Sequence, residues 1–389
     1  SEMCIRDSRS AGLADSTAPQ SPLRPSTSVV GRLLVAQESG LVLVIALLMA
    51  ALTIFGGTKN KRITEAGETR IVQVNKFLDA ENLVLLAKDA SYIAIMAVGM
   101  TAIIVMGGID LSVGSIYALA AVVGALALRA LQAQWLGVPI ADSVPTVGGA
   151  PLWAAVPVGV GVCCLVGALC GFANGSMIVG LKVHPFIITL GMMAVLRGVV
   201  FVLTGGKSVF SFPDSFTAGF FKARLVVGDN QVYPVPVVVM LVVALIGSIV
   251  LARTVLGRRT YAIGGNEVAA RYAGIPVGRV KIVMFTLVGM LAGLSAAVYL
   301  GYLGAASSDA GQGYELSVIA AAVIGGASLS GGRGSAVGAV LGAILIQLIT
   351  NAMIILDIDT NYTNIVMGAA IVVAVVLDQV KSRFVPSGR

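Results

Sequence analysis

The sequence predicts an all-α, polytopic membrane protein with about ten transmembrane helices. Three observations carry this. Of 389 residues, 57% are apolar and 12% are charged, about half the charged share of soluble domains. The mean hydropathy is +0.94. The apolar residues run in long unbroken blocks, such as 235–251, whereas a transmembrane β-barrel alternates apolar with polar positions. So few charges cannot cover a soluble fold of this size. A cytosolic globular enzyme and a disordered chain are both excluded.

The elements follow in order. Residues 1–28 are rich in Ser and Pro and lack an apolar core, so they read as a disordered or non-native tail rather than a signal peptide. Residues 29–389 form a single transmembrane domain. Its predicted spans are 33–56, 86–107, 111–129, 151–171, 185–204, 233–251, 282–303, 314–329, 335–353 and 362–380. Most hold the roughly 20 apolar residues that a bilayer demands. Block 314–329 is short, so it is either a partial span or runs on into the Gly-rich turn that follows.

Charge placement sets the orientation. With the N-terminus inside and spans alternating, the inner segments from 108 onward carry Lys182, Arg253, Arg258, Arg259, Arg271, Arg279, Lys281, Arg333, Lys381, Arg383 and Arg389, against Glu267 and Asp378. The outer segments carry Arg129, Lys207, Lys222 and Arg224 against six Asp. Positive-inside placement therefore puts both termini in the cytoplasm. The net charge of +7 is accounted for in this way, without nucleic acid. The outer loop 57–84, with five basic and four acidic residues, is an exception to the rule.

The inner loop, about 252–281, holds six basic residues and one acid. Gly264-Gly265-Asn266 is a loop-and-cap signal, Asn266 being a good N-cap. Residues 267–272 then read as one or two helical turns, stopped by Gly274 and Pro276. The segment is either a solvated basic loop near anionic lipid or a docking helix for a soluble partner. In GGIDLSVGS (107–115), Asp110 is an acid at span depth. Asp110 or Ser112 either caps the next helix or lines a pathway. Glu315 opens an apolar run, where an acid suits the helix dipole, or contributes a polar lining. Asn174 is a turn residue or a substrate contact, and Arg197 must snorkel or find a partner. Residues 107–112 and 325–330 share the pattern GGxxLS, a weak echo that transporter repeats and chance explain about equally well. The stretch 205–208, GGKS, lacks the first Gly and the strand–helix setting of a phosphate loop. One His, His184, and Cys4, Cys163, Cys164 and Cys170 at unsuitable spacing form no metal or disulfide pattern. No cofactor is expected.

GGIDLSVGS (107–115), HPFIITLGMMAVLRG (184–198), YAIGGNEVAARYAGI (261–275), YELSVIAAAVIGGASLSGGRGS (314–335) and AVVLD (374–378) together resemble the sugar-type permeases of ATP-binding-cassette (ABC) importers, the ribose/xylose/galactose branch. The resemblance covers roughly residues 75–380. It implies the ABC importer permease fold, a permease homodimer in the lipid of a bacterial inner membrane, cytosolic ATP-binding subunits and a periplasmic sugar-binding protein. It places 261–275 on the coupling region that contacts the ATPase, with Gly264, Gly265, Asn266, Glu267, Ala270 and Gly274 carried over. It assigns ATP hydrolysis to the partner and no catalysis to this chain. Asp110, Ser112, Asn174 and Glu315 are the candidate pathway residues. The family pattern has a small or apolar residue where His184 stands. A permease for a branched-chain amino acid or nucleoside, or an ion-coupled secondary transporter, is the alternative.

Overall fold

The computed structural model describes residues 38–65, 68–141, 143–227, 230–359, 362–363, 365–369, 372–373 and 376. Among them, helices occupy each of the first nine predicted blocks. They are α1 (Ser39–Phe55), α2 (Ala80–Val105), α3 (Val113–Leu136), α4 (Leu152–Leu181), α5 (Pro185–Thr204), α6 (Pro234–Arg253), α9 (Val277–Leu303), α10 (Tyr314–Ile324) and α11 (Ala336–Ile355). Between α6 and α9 stand two shorter helices, α7 (Val255–Gly265) and α8 (Glu267–Tyr272). Seven helices, all but α1, α7, α8 and α10, are long and apolar enough to cross a membrane. The tail 1–28 and most of 362–380 lie outside the described residues.

Local sequence explains these helices. Pro185 and Pro234 sit at the first helical positions of α5 and α6, where the missing amide hydrogen is no loss. The helices α5 and α6 bury few residues and turn broad apolar faces outward, as lipid contact requires. The core lies elsewhere. The helices α4 and α9 meet through small residues. A Cβ added at Gly171 would collide with the Phe285 carbonyl, and one at Gly293 with the Cys163 carbonyl. Backbones approach this closely only where side chains are absent. The helices α2 and α3 complete this core, and a second cluster joins α1 to α11 through Ile45, Leu52, Leu345, Leu348 and Ile355.

Two hairpins depart from the all-α expectation. β1 (Thr58–Glu65) pairs antiparallel with β2 (Glu68–Asn75), and β3 (Leu225–Val227) with β4 (Asn230–Val232). The first occupies the charge-rich loop 57–84. There Lys59 and Lys61 pair with Asp79 at 2.7 and 2.5 Å, and Lys76 with Asp357 at 3.0 Å. These basic residues serve the folded hairpin.

The GGxxLS echo has a local cause. The helices α2 and α10 end alike: Gly108 donates to the Ile103 carbonyl (3.0 Å) and Gly107 to Ile104 (2.8 Å), while Ala327 donates to Ala322 and Gly326 to Val323, both at 2.9 Å. This is the Schellman closure, with glycine in the left-handed region at Gly107 and Gly326. Those two glycines fall one position apart when the motifs are aligned, so the likeness is one of helix-stop chemistry.

The helix α10 fixes the remaining geometry. The loop after it reaches the end of the bundle that carries α7. Gly332 donates to the Val105 carbonyl at 2.8 Å, and Gly331 lies against Gly264. Eleven residues rise only about 16 Å, roughly half of a bilayer core. Tyr314 therefore begins α10 part-way through the bundle. The irregular segment 304–313 that precedes it is part-covered: Ala306, Ser308, Ala310 and Gly311 are buried, whereas Asp309 and Gln312 are exposed. Arg197 donates to the carbonyls of Ser308 and Ala310, at 3.3 and 2.7 Å. This resolves where the Arg197 charge goes: its guanidinium finds partners in two backbone carbonyls of that segment.

Candidate functional site

The predicted short helix is present with its punctuation. The backbone of Asn266 is extended, and its side chain accepts from the Ala269 amide at 2.9 Å, an N-cap. Helix α8 spans Glu267–Tyr272. Ile275 then donates to the Ala270 carbonyl and Gly274 to Arg271, both at 3.1 Å. Gly274 has φ +79°, which favours glycine. The six residues carried from the family motif thus divide. Asn266 starts the helix and Gly274 ends it. Ala270 is buried, and packs α8 onto the bundle. A Cβ on Gly264 would overlap the Val105 carbonyl, whereas Gly265 has open space around it.

Glu267 joins α8 to α9. It accepts from Lys281 at 2.8 Å and from Arg271 at 3.1 Å. The hydrogen bond from Lys281 holds its carboxyl below the usual carboxylate range; burial opposes this, and Arg271 adds to it.

Motif reading missed both α7 and the outward face of α8. Thr254 caps α7 by accepting from the Gly257 amide at 3.1 Å, a Thr signal visible in the sequence. Val268 is 64% exposed and Tyr272 90% exposed. These two large side chains carry the free surface of α8, while the motif residues shape it. The available signal was helical spacing: positions 268 and 272 are four apart and share a face.

The candidate pathway residues do not form one cluster. Asp110, Ser112 and Asn174 do come together, all fully buried. Asp110 accepts from the Ser112 amide (2.8 Å) and hydroxyl (2.6 Å), and Asn174 donates to that hydroxyl at 2.8 Å. The capping expectation is therefore modified. Asp110 accepts a backbone amide, but that of Ser112, just ahead of α3, and Ser112 makes no side-chain cap. The network ties the α2–α3 turn to α4. One oxygen each of Asp110 and Asn174 has no hydrogen-bond partner among the described residues. Glu315, in the first turn of α10, shares no hydrogen bond with them, and one of its carboxylate oxygens is buried without a hydrogen-bond partner among the described residues. Its carboxylate faces Gly114, where a Cβ would collide with it.

With this geometry in place, the comparisons with known proteins decide the family. A family profile described as the permease component of a branched-chain amino acid transport system matches residues 82–375. The chain belongs to this permease family. The D-allose transport system permease protein of Escherichia coli (strain K12) is 38% identical over 307 residues, 79% of this chain and 86% of the relative. The ribose import permease protein of Bacillus subtilis (strain 168) is 37% identical over 306 residues, 79% and 87%. The fructose import permease protein of Rhizobium meliloti is 33% identical over 314 residues, 79% and 81%. No solved structure matches the chain. In this permease, hairpin β1–β2 begins ahead of the matched region, and α8 with its cap and stop lies well inside it.

Proposed function

We propose that this permease is the membrane subunit of an ABC importer that carries a monosaccharide, of the pentose or hexose class, across a bacterial inner membrane. The observation that carries the reading is the preformed helix α8. It presents Val268 and Tyr272 to a partner, and α7, which leads into it, ends in backbone contact with α2 and the 331–332 turn. A segment needed only for its charge requires no such construction. In this reading α8 docks on a cytosolic ATP-binding subunit, through Gly264, Gly265, Asn266, Glu267, Ala270 and Gly274 as shaping residues.

Two copies of the chain share the pathway, and a periplasmic binding protein delivers the sugar. Closure of the ATP-binding subunits moves α8, and the pathway changes the side on which it opens. The permease itself makes and breaks no bond. Charge placement supports ten spans per copy with both termini cytoplasmic, and 29–389 as one permease domain. The family profile is described for branched-chain amino acids, but the allose, ribose and fructose permeases among the relatives favour sugar. An ion-coupled transporter needs coupling acids along the pathway. Here Asp110 is engaged by a local turn, and Glu315 stands at a helix start.

The test is uptake in vesicles with the partner subunits reconstituted. Accumulation of a labelled monosaccharide that requires ATP and the binding protein is expected. Accumulation driven by an ion gradient without ATP overturns the reading.

A further inference from the structure

A cavity with several polar side chains set in a mostly apolar wall opens beside the start of α10. Its volume is about 370 Å³, and Asp89, Gln312, Tyr314, Ser317, Gln347 and Thr350 contribute to its lining. These come from α2, from the turn before α10, from α10 itself and from α11. Because α10 begins part-way through the bundle, the cavity lies at that depth too. Polar side chains are expensive there and mark solute pathways. The side-chain amides of Gln312 and Gln347 make no hydrogen bond among the described residues, so they stand ready for a guest or for water.

Charge selects the class of guest. Asp89 is the one charged residue among those described in the lining. Its carboxylate is taken by Lys88 at 2.8 Å, and the Lys88 ammonium lies 4.3 Å from the centre of the Tyr302 ring. The cavity therefore offers no free cation for a carboxylate guest. Its one anion is already neutralised, so an ammonium finds no partner either. An amino-acid zwitterion needs both. Amide and hydroxyl groups instead match a guest made of hydroxyls. Ile93 and Leu316 add apolar wall for the carbon face of a ring. The volume sits at the small end of ordinary ligand pockets, about 300–1,000 Å³, room for one monosaccharide.

The lining also leads inward. The Tyr314 ring packs on Tyr117 (5.4 Å between centres), Tyr117 on Tyr299 (5.5 Å) and Tyr299 on Tyr92 (5.8 Å). The buried hydroxyls of Tyr92 and Tyr117 lack partners among the described residues. This tyrosine chain continues from the cavity towards the α2–α3–α9 core. We propose that the cavity is a binding station on the solute's path, selective for an uncharged polyhydroxylated solute of monosaccharide size, with Gln312 and Gln347 as its hydrogen-bonding arms. The inference rests on the importer reading and assigns that reading's substrate contact.

The test uses the full reconstituted importer with labelled D-ribose, D-allose and D-fructose as probes. Gln347→Met and Gln312→Met keep bulk and remove the amide. Uptake of the transported sugar is expected to fall about 10-fold or more, as when a hydroxyl loses its buried partner. Stimulation of ATP hydrolysis by the loaded binding protein is expected to persist, which shows that the variants fold and couple. Unchanged uptake in both variants overturns the station, and so does the loss of both uptake and the stimulation of hydrolysis. A second arm needs no sugar transport: Thr350→Cys is expected to react with a charged, membrane-impermeant thiol reagent well above the parent chain. If the parent takes up none of the three sugars, the sugar reading falls; labelling of Thr350→Cys then still supports a solute-accessible station, and absence of labelling overturns it.

Discussion

The α4–α9 contact and the α7–α8 segment are both rich in glycine; they share close backbone approach, at Gly264 in the second, but α7–α8 also puts glycine to uses that α4–α9 lacks. Between α4 and α9, Gly167, Gly171, Gly289 and Gly293 remove side chains so that two long helices touch backbone to backbone. In α7–α8 and the turn that follows, Gly274 stops a helix and Gly265 faces open space. The first arrangement fixes a position, and the second displays one. Glycine content alone separates neither, because the same residue serves close approach and chain reversal.

The largest expected effect breaks the first region. Gly171→Leu drives a side chain into the Phe285 carbonyl. Overpacking of this kind costs about 1–3 kcal/mol in soluble cores and here meets backbone that cannot yield. Extracted protein is expected to lose its single size-exclusion peak, while Gly161→Leu, with nothing within 4 Å of its Cβ, keeps it. Equal behaviour of the two contradicts the contrast.

Next comes Glu267→Arg, which sets a third cation beside Lys281 and Arg271. The chain is expected to insert normally and to stop co-purifying with its ATPase. Full co-purification and transport would remove α8 from the coupling role. Tyr272→Ala is milder and cleaner, since that side chain is 90% exposed. Loss of an aromatic anchor is worth about 2 kcal/mol at an interface. ATPase affinity is expected to drop roughly 30-fold with an unchanged melting temperature; unchanged affinity places the contact elsewhere.

Smaller still is a pH effect. The folded-state carboxyl of Glu267 lies below its ordinary value, chiefly through Lys281. Its contribution is therefore present above the ordinary carboxylate range, near 4.3, and is lost as pH falls through the lower folded value. Hydrogen exchange of the α8 amides, corrected for intrinsic rate, is expected to quicken over that interval and to stay constant above it. The smallest effect is expected from Asp110→Asn. Asn still accepts the Ser112 amide, so transport within about two-fold of the parent marks a structural turn. A severe loss assigns the charge itself to transport.

The helices were legible because lipid demands one pattern, long apolar runs: among the described residues nine predicted blocks hold a helix, seven of them long and apolar enough to cross a membrane. The start and stop of α8 were legible because Asn266 and Gly274 act locally. Hairpin β1–β2 was not, since a membrane count treats 57–84 as a loop and its pairing with Asp79 appears only in the fold. The cavity beside α10 was equally hidden: Asp89, Gln312 and Gln347 lie far apart in sequence, and only the shortness of 314–329 hinted at a helix that begins inside the bundle. The Asp110–Asn174 link required two residues 64 positions apart to meet through Ser112.

The contact of Gly264 with Val105 and the 331–332 turn has a mechanical consequence. Side-chain layers are soft at the scale of a rotamer, and backbone laid on backbone is not. A push delivered to α8 finds no cushion on its way through the end of α7. It reaches the turn behind α10 as travel instead of being spent as a dent. Any residue larger than glycine at position 264 would act like a spacer in a closed bearing, shifting the rest position of the stroke before any ATP is bound.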